Sequence, residues 1–71
     1  MDIGRTLQKI RKSRQLTQAN IVKGIMTQSA YSKIEKSQLT INFNQFIPLI
    51  SKVNISLQEF SYILNNYFQL V

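Results

Sequence analysis

Apolar residues recur along this chain at spacings of three and four, and they divide it into five helical segments. The first runs from about Ile3 to Arg14. Asp2 is its N-cap, and Ile3, Leu7 and Ile10 share one face, with Arg5, Lys9 and Lys12 on others. Thr17 caps a short second helix whose buried stripe is Ile21, Val22 and Ile25. A brief turn through Met26 and Thr27 leads to a third helix, Gln28 to about Lys36, with Ala30, Tyr31 and Ile34 as its apolar positions. Residues 37–41 read as a loop.

Asn42, with Gln45 three residues later, caps a fourth helix carrying Phe43, Phe46, Ile47, Ile50 and Val53. Pro48 lies inside that segment and lacks an N–H, which predicts a kink or a delayed start. Ser56-Leu57-Gln58-Glu59 is a capping box, Ile55 can staple onto Phe60, and the last helix runs from Leu57 towards Tyr67. No repeats, linkers or low-complexity segments interrupt the pattern. The expectation is a single all-α domain over residues 1–71, near the lower limit for a self-sufficient core.

Charge changes the picture. The net charge is +6, and eight of the nine basic residues are Arg5, Lys9, Arg11, Lys12, Arg14, Lys23, Lys33 and Lys36. The remainder carries only Lys52 against Glu59. A basic half joined to a neutral, apolar half is the pattern of a polyanion-binding surface on a packing scaffold. A merely solubilising charge would be spread over the whole chain. There is no Cys and no His, and the three acids, Asp2, Glu35 and Glu59, are far apart. That inventory excludes disulfides, thiol chemistry and the commonest general base, so neither catalysis nor a metal or other cofactor is expected. No apolar run approaches a membrane span and no secretory signal opens the chain, so a cytoplasmic protein is expected, with no membrane partner.

Residues 16–36 then read as two short helices joined by a tight connection. A helix that reads DNA must enter a major groove only about 12 Å wide, with its N-terminal turn nearest the bases. Burying Tyr31 and Ile34 turns Gln28, Ser29, Ser32 and Lys33 outward. Gln can pair with adenine through two hydrogen bonds, Lys can reach guanine acceptors, and Ser adapts to several partners. Any amphipathic helix has a polar face, so this one gains weight only from the basic first helix and the polar Thr17-Gln18 helix start beside it. Helix N-termini favour phosphate, which makes Thr17 and Gln18 candidate phosphate contacts. Arg5 and Arg14, near the ends of the first helix, are further candidates. Tyr62, Tyr67 and Phe68 could stack on bases, but their helical spacing with Leu64 favours a core or dimer contact.

Leu16-Thr17-Gln18, Ile21-Val22 and Ser32-Lys33-Ile34-Glu35 together resemble the phage-repressor (Xre) class of helix-turn-helix domains. Two departures narrow the likeness: Met26 stands where that pattern has a turn glycine, and the spacing to Glu35 is one residue shorter. That shorter form, with Gly24-Ile25-Met26-Thr27-Gln28-Ser29 and Ser56-Leu57-Gln58-Glu59-Phe60, resembles the N-terminal domains of Rgg/MutR-type, peptide-pheromone-responsive regulators. Lys36-Ser37 replaces the basic-glycine pair usual after the glutamate, implying a less tightly turned exit from the third helix.

The resemblance implies a compact five-helix, lambda-repressor-like bundle with helices two and three as the helix-turn-helix. It implies base contacts from Gln28, Ser29, Ser32 and Lys33, phosphate contacts from Gln18 and Lys36, and a structural ion pair between Glu35 and Arg11. It further implies a homodimeric transcription regulator on a palindromic double-stranded operator, with a peptide pheromone bound by a C-terminal domain absent here. On that view the chain is the N-terminal part of a longer regulator, or a natural short form pairing through its last helix. The alternative is a protein-interaction module, an antitoxin or anti-regulator, on the same fold.

Overall fold

The computed structural model describes residues 2–69, with side chains through residue 66. It is an all-helical bundle of α1 (Ile3–Ser13), α2 (Gln18–Val22), α3 (Gln28–Glu35), α4 (Phe43–Lys52) and α5 (Leu57–Gln69). Every helix starts at a side chain that can accept a hydrogen bond from a free N–H of its first turn. Asp2 accepts from the Arg5 N–H, Thr17 from Asn20, Asn42 from Gln45, and Ser56 from Glu59 at 3.0 Å. The Glu59 carboxylate accepts from the Ser56 N–H in return, completing the capping box. Thr27, expected only as part of a turn, caps α3 by accepting from the Ala30 N–H.

The core draws on all five helices: Leu7 and Ile10 of α1, Ile21 and Val22 of α2, Tyr31 and Ile34 of α3, Phe46, Leu49 and Ile50 of α4, and Phe60 and Leu64 of α5. Val53 and the staple residue Ile55 close it at the α4–α5 corner. Burial of each Leu, Ile, Val or Phe contributes about 1.5–3 kcal/mol. Phe46 and Phe60 meet edge-to-face, ring centroids 4.8 Å apart, and fix α4 against α5. Helix α1 packs on α3 and α5, and α2 packs on α3 and α4. No helix among the described residues is long and apolar enough to cross a membrane.

Several expected core positions move. Ile3, in the first turn of α1, overhangs the bundle and is exposed. The buried stripe of α4 is Phe46, Leu49, Ile50 and Val53, at the i, i+3, i+4, i+7 spacing. Phe43 and Ile47 therefore lie at its rim, Phe43 with 67% of its surface exposed, while Leu49 is fully buried. Ile25 falls beyond the end of α2 and is half-buried in the following turn. Tyr62 is exposed rather than core, and the side chains of Tyr67 and Phe68 lie outside the described residues. Pro48 does not delay α4, which begins directly after Asn42. The carbonyl it leaves without a helical donor belongs to the exposed Asn44 and is open to water.

Three helices end without glycine in the left-handed turn that glycine usually supplies. Gln15, Ser37 and Asn54 follow α1, α3 and α4 with φ of 58°, 62° and 59°. Each is closed by the paired bonds of a Schellman motif. Leu16 N–H donates to the Arg11 carbonyl and Gln15 to Lys12; Gln38 donates to Lys33 and Ser37 to Ile34; Ile55 donates to Ile50 and Asn54 to Ser51. The exit from α3 is thus fully turned, contrary to the expectation drawn from Lys36-Ser37. A β-carbon in this conformation costs about 1–2 kcal/mol, offset in part by the greater entropy glycine loses on folding. Gln15 is exposed and its side chain caps nothing, so Gln15→Gly should stabilise the domain by about 0.5–1 kcal/mol, raising Tm by roughly 2–8 °C. Calorimetry of the two proteins checks this, and a lower Tm for the glycine variant would contradict it.

Candidate nucleic-acid interface

The interface rests on how α3 is held. At its C-terminal end the backbone lies against α1, because a β-carbon at Gly4 would overlap the Ile34 carbonyl. Two turns further along α1, the Arg11 guanidinium meets the Glu35 carboxylate through both faces of the fork. Its Nε donates to Oε2 at 2.7 Å and its Nη2 to Oε1 at 3.0 Å. The remaining Nη1 donates to the Leu16 carbonyl at 2.8 Å. Ser37, just past α3, donates from Oγ to the Asp2 carboxylate at 2.7 Å. Residues 34–37 are therefore clamped to α1 at three points, and the N-terminal turn of α3 projects from the clamp.

Glu35 is almost wholly buried, at 2% exposure, and besides the two Arg11 bonds its carboxylate accepts from the Gln18 amide, which donates to Oε1 at 2.8 Å. Burial alone would raise the Glu35 carboxyl, but the Arg11 and Gln18 hydrogen bonds and the Arg11 charge hold it below the ordinary carboxylate range. Glu35 in turn raises the Arg11 guanidinium further above its ordinary value. The Tyr31 hydroxyl is buried without a hydrogen-bond partner among the described residues. Burial, with the neighbouring Glu35 charge adding to it, pushes this phenol well above its ordinary range, so it stays neutral.

The outward face of α3 carries the expected group. Gln28, Ser29 and Lys33 are exposed, Ser32 is half-buried, and Lys36 follows as the exposed C-cap. Each of the three carboxylates is engaged elsewhere, Asp2 with Arg5 and Ser37, Glu35 with Arg11, and Glu59 in its capping box. Neither Lys33 nor Lys36 pairs with a carboxylate among the described residues. The remaining candidates are more scattered. Thr17, an exposed residue, is occupied as the α2 cap, and Gln18 has its amide on Glu35. Arg5 forms an exposed pair with Asp2 at 3.3 Å, and Arg14 is the exposed C-cap of α1. Hydrogen bonding to Ser37 and to the Arg5 N–H lowers the Asp2 carboxyl.

The connection between α2 and α3 turns at Gly24 rather than at Met26. Lys23 has φ −57° and ψ 123°, Gly24 has φ 79°, and the Ile25 N–H donates to the Val22 carbonyl at 2.8 Å. That is a type II turn, which requires positive φ at its third position, and Gly24 supplies it two residues before Met26. Sequence reasoning missed three contacts made over long stretches of chain: Gln18 on Glu35, Ser37 on Asp2, and the Lys52 ammonium on the Lys23 carbonyl at 3.0 Å. No local spacing signals any of them. Searches of family models, curated proteins and solved structures found no match to this chain.

Removing one partner of a buried ion pair strands the other charge, at a cost of about 3–5 kcal/mol. Glu35→Ala should lower stability by about 3 kcal/mol, read by urea unfolding. A change under 1 kcal/mol would show that the pair does not hold α3. Linkage fixes the pH dependence. The Glu35 carboxyl is depressed in the fold, so its contribution is complete above the ordinary carboxylate range and is lost as pH falls through the folded value. The Tyr31 phenol is raised, so its contribution is complete below the ordinary phenol range and is lost above it. Tm should be flat between roughly pH 5 and 9 and fall on both sides. Glu35→Gln should shallow the acid limb, leaving the smaller effect of Asp2, and Tyr31→Phe the alkaline limb; unchanged limbs in both variants would refute these assignments.

Proposed function

We propose that this chain binds double-stranded DNA sequence-specifically, as the DNA-binding domain of a bacterial transcription regulator, with α3 in the major groove. The observation that carries the reading is the clamp: residues 34–37 are fixed to α1, and the unneutralised face of Gln28, Ser29, Ser32, Lys33 and Lys36 projects from it. A reading helix needs rigid support behind it and hydrogen-bonding groups of modest size in front. Affinity would come chiefly from phosphate contacts by Lys36, Arg5, Arg14 and the Thr17-Gln18 end of α2, and specificity from Gln28, Ser29, Ser32 and Lys33. The likeness of the Leu16–Glu35 residues to Xre-type and Rgg/MutR-type domains supports the same reading. It adds the expectation of a homodimer on two half-sites ~34 Å apart.

A second reading has one observation in its favour. Phe43, Ile47, Leu57 and Tyr62 are exposed on the neutral half of the chain, where they suit a protein contact better than DNA. Salt separates the two, since duplex binding weakens steeply between low and moderate salt and an apolar contact does not.

Selection of random duplexes on the purified domain should enrich one motif. On the enriched duplex, Gln28→Ala and Lys33→Ala should each cost about 1–3 kcal/mol in binding. Enrichment of no motif, with no duplex bound even at low salt, would end the proposal.

A further inference from the structure

The turn between α2 and α3 leads directly into the reading helix; Ile25 and Met26 at its exit pack against the core, while Gly24 itself is exposed. A β-carbon at Gly24 would meet no atom within 4 Å. The orientation of the Lys23–Gly24 peptide therefore depends on backbone preference and hydrogen bonding. A type I turn would rotate that peptide by nearly half a revolution while leaving the flanking chain nearly in place, since the two types differ in ψ of the second residue and φ of the third. The Lys23 carbonyl would then point to the other side of the turn.

Lys52 stands on the side that the carbonyl now faces. It is the last residue of α4, which packs on α2, and its ammonium donates to the Lys23 carbonyl at 3.0 Å across 29 residues of sequence. It is also the one cation of the neutral half of the chain. We infer that Lys52 is a positioning residue for the turn that precedes the reading helix: it selects the type II form by binding the Lys23 carbonyl, and so fixes the side on which the Gly24 N–H is offered next to the duplex. A group that bonds one of two interconverting turn forms shifts the population towards that form by its differential interaction. This role rests on the proposal that α3 reads DNA, but the turn selection itself does not.

Lys52→Met keeps the unbranched apolar stem and removes the donor. Three results are expected. The Gly24 and Ile25 backbone amide resonances of the free domain shift, affinity for the selected duplex falls about three- to tenfold, and Lys52→Arg restores both. The slope of log affinity against log salt stays unchanged in Lys52→Met, because a lost phosphate contact would reduce it by about 0.9. Unmoved Gly24 and Ile25 amides would overturn the inference, and so would a slope reduced by that amount, which would make Lys52 a phosphate ligand. If the wild-type domain bound no duplex, the reading-helix role would fall with the proposed function. The amide shifts would still decide whether Lys52 selects the turn.

Discussion

The two-pronged contact between Arg11 and Glu35 is the constraint on which the arrangement of α1 and α3 depends. Removing both charges from water is costly, and a buried pair of this kind adds little net stability over apolar residues of similar size. Its effect is on geometry. A guanidinium fork satisfies a carboxylate in few orientations, and here the third nitrogen is committed to the Leu16 carbonyl and the second carboxylate oxygen to Gln18 as well. Any rotation of α3 about its axis would break several charge-assisted bonds at once. Gly4 fixes the other degree of freedom, because only its missing side chain lets the Ile34 backbone come so close. The pair gives the angle and the glycine gives the distance.

The reversals between helices are closed by backbone hydrogen bonds. Short helices must reverse quickly in a domain of this size, and three of the reversals place Gln, Ser and Asn in a conformation better suited to glycine. Each reversal satisfies two carbonyls that the helix would otherwise leave open. At Ser37 the side chain has a further use, since its hydroxyl ties the α3 exit to the α1 cap. Glycine there would relax the backbone and lose that tie.

The parts of the fold visible in sequence are those governed by residues close together in the chain. The caps at Asp2, Thr17, Asn42 and Ser56, the Leu7–Ile10 face and the outward Gln28–Lys33 group all follow from local spacing. Errors arise where a second element decides. Phe43 and Leu49 are equally apolar and equally periodic, and only the placing of α4 against α2 and α5 makes one rim and the other core. Ile3 is apolar on the right face, yet the bundle does not reach it. The Arg11–Glu35 pair came from a resemblance, and without one no spacing joins two residues 24 positions apart. Gln18 was legible as a polar helix start, but its amide is turned inward to Glu35, which leaves the exposed end of α2 to the Thr17 hydroxyl and the backbone. Gly24 is visible in the sequence as a turn former, but only the backbone angles of Lys23 and Gly24 show that the α2–α3 connection turns there rather than at Met26.

The division of charge acquires a physical reason from these contacts. The three carboxylates are consumed in holding the bundle together, at the α1 cap, at the clamp and at the α5 cap, and none of them forms an ion pair with Lys33 or Lys36. A domain with acids to spare on the α3 face would screen its own positive field and weaken its attraction for a polyanion. Lys52 fits the same economy from the opposite side. Its ammonium is directed at a backbone carbonyl of the turn, so the one cation of the neutral half acts on the geometry of the basic half. The scaffold is thus joined to α3 through α4 as well as through α1: Arg11 and Gly4 hold the C-terminal end of the helix, and Lys52 binds a carbonyl of the turn that leads into its N-terminal end.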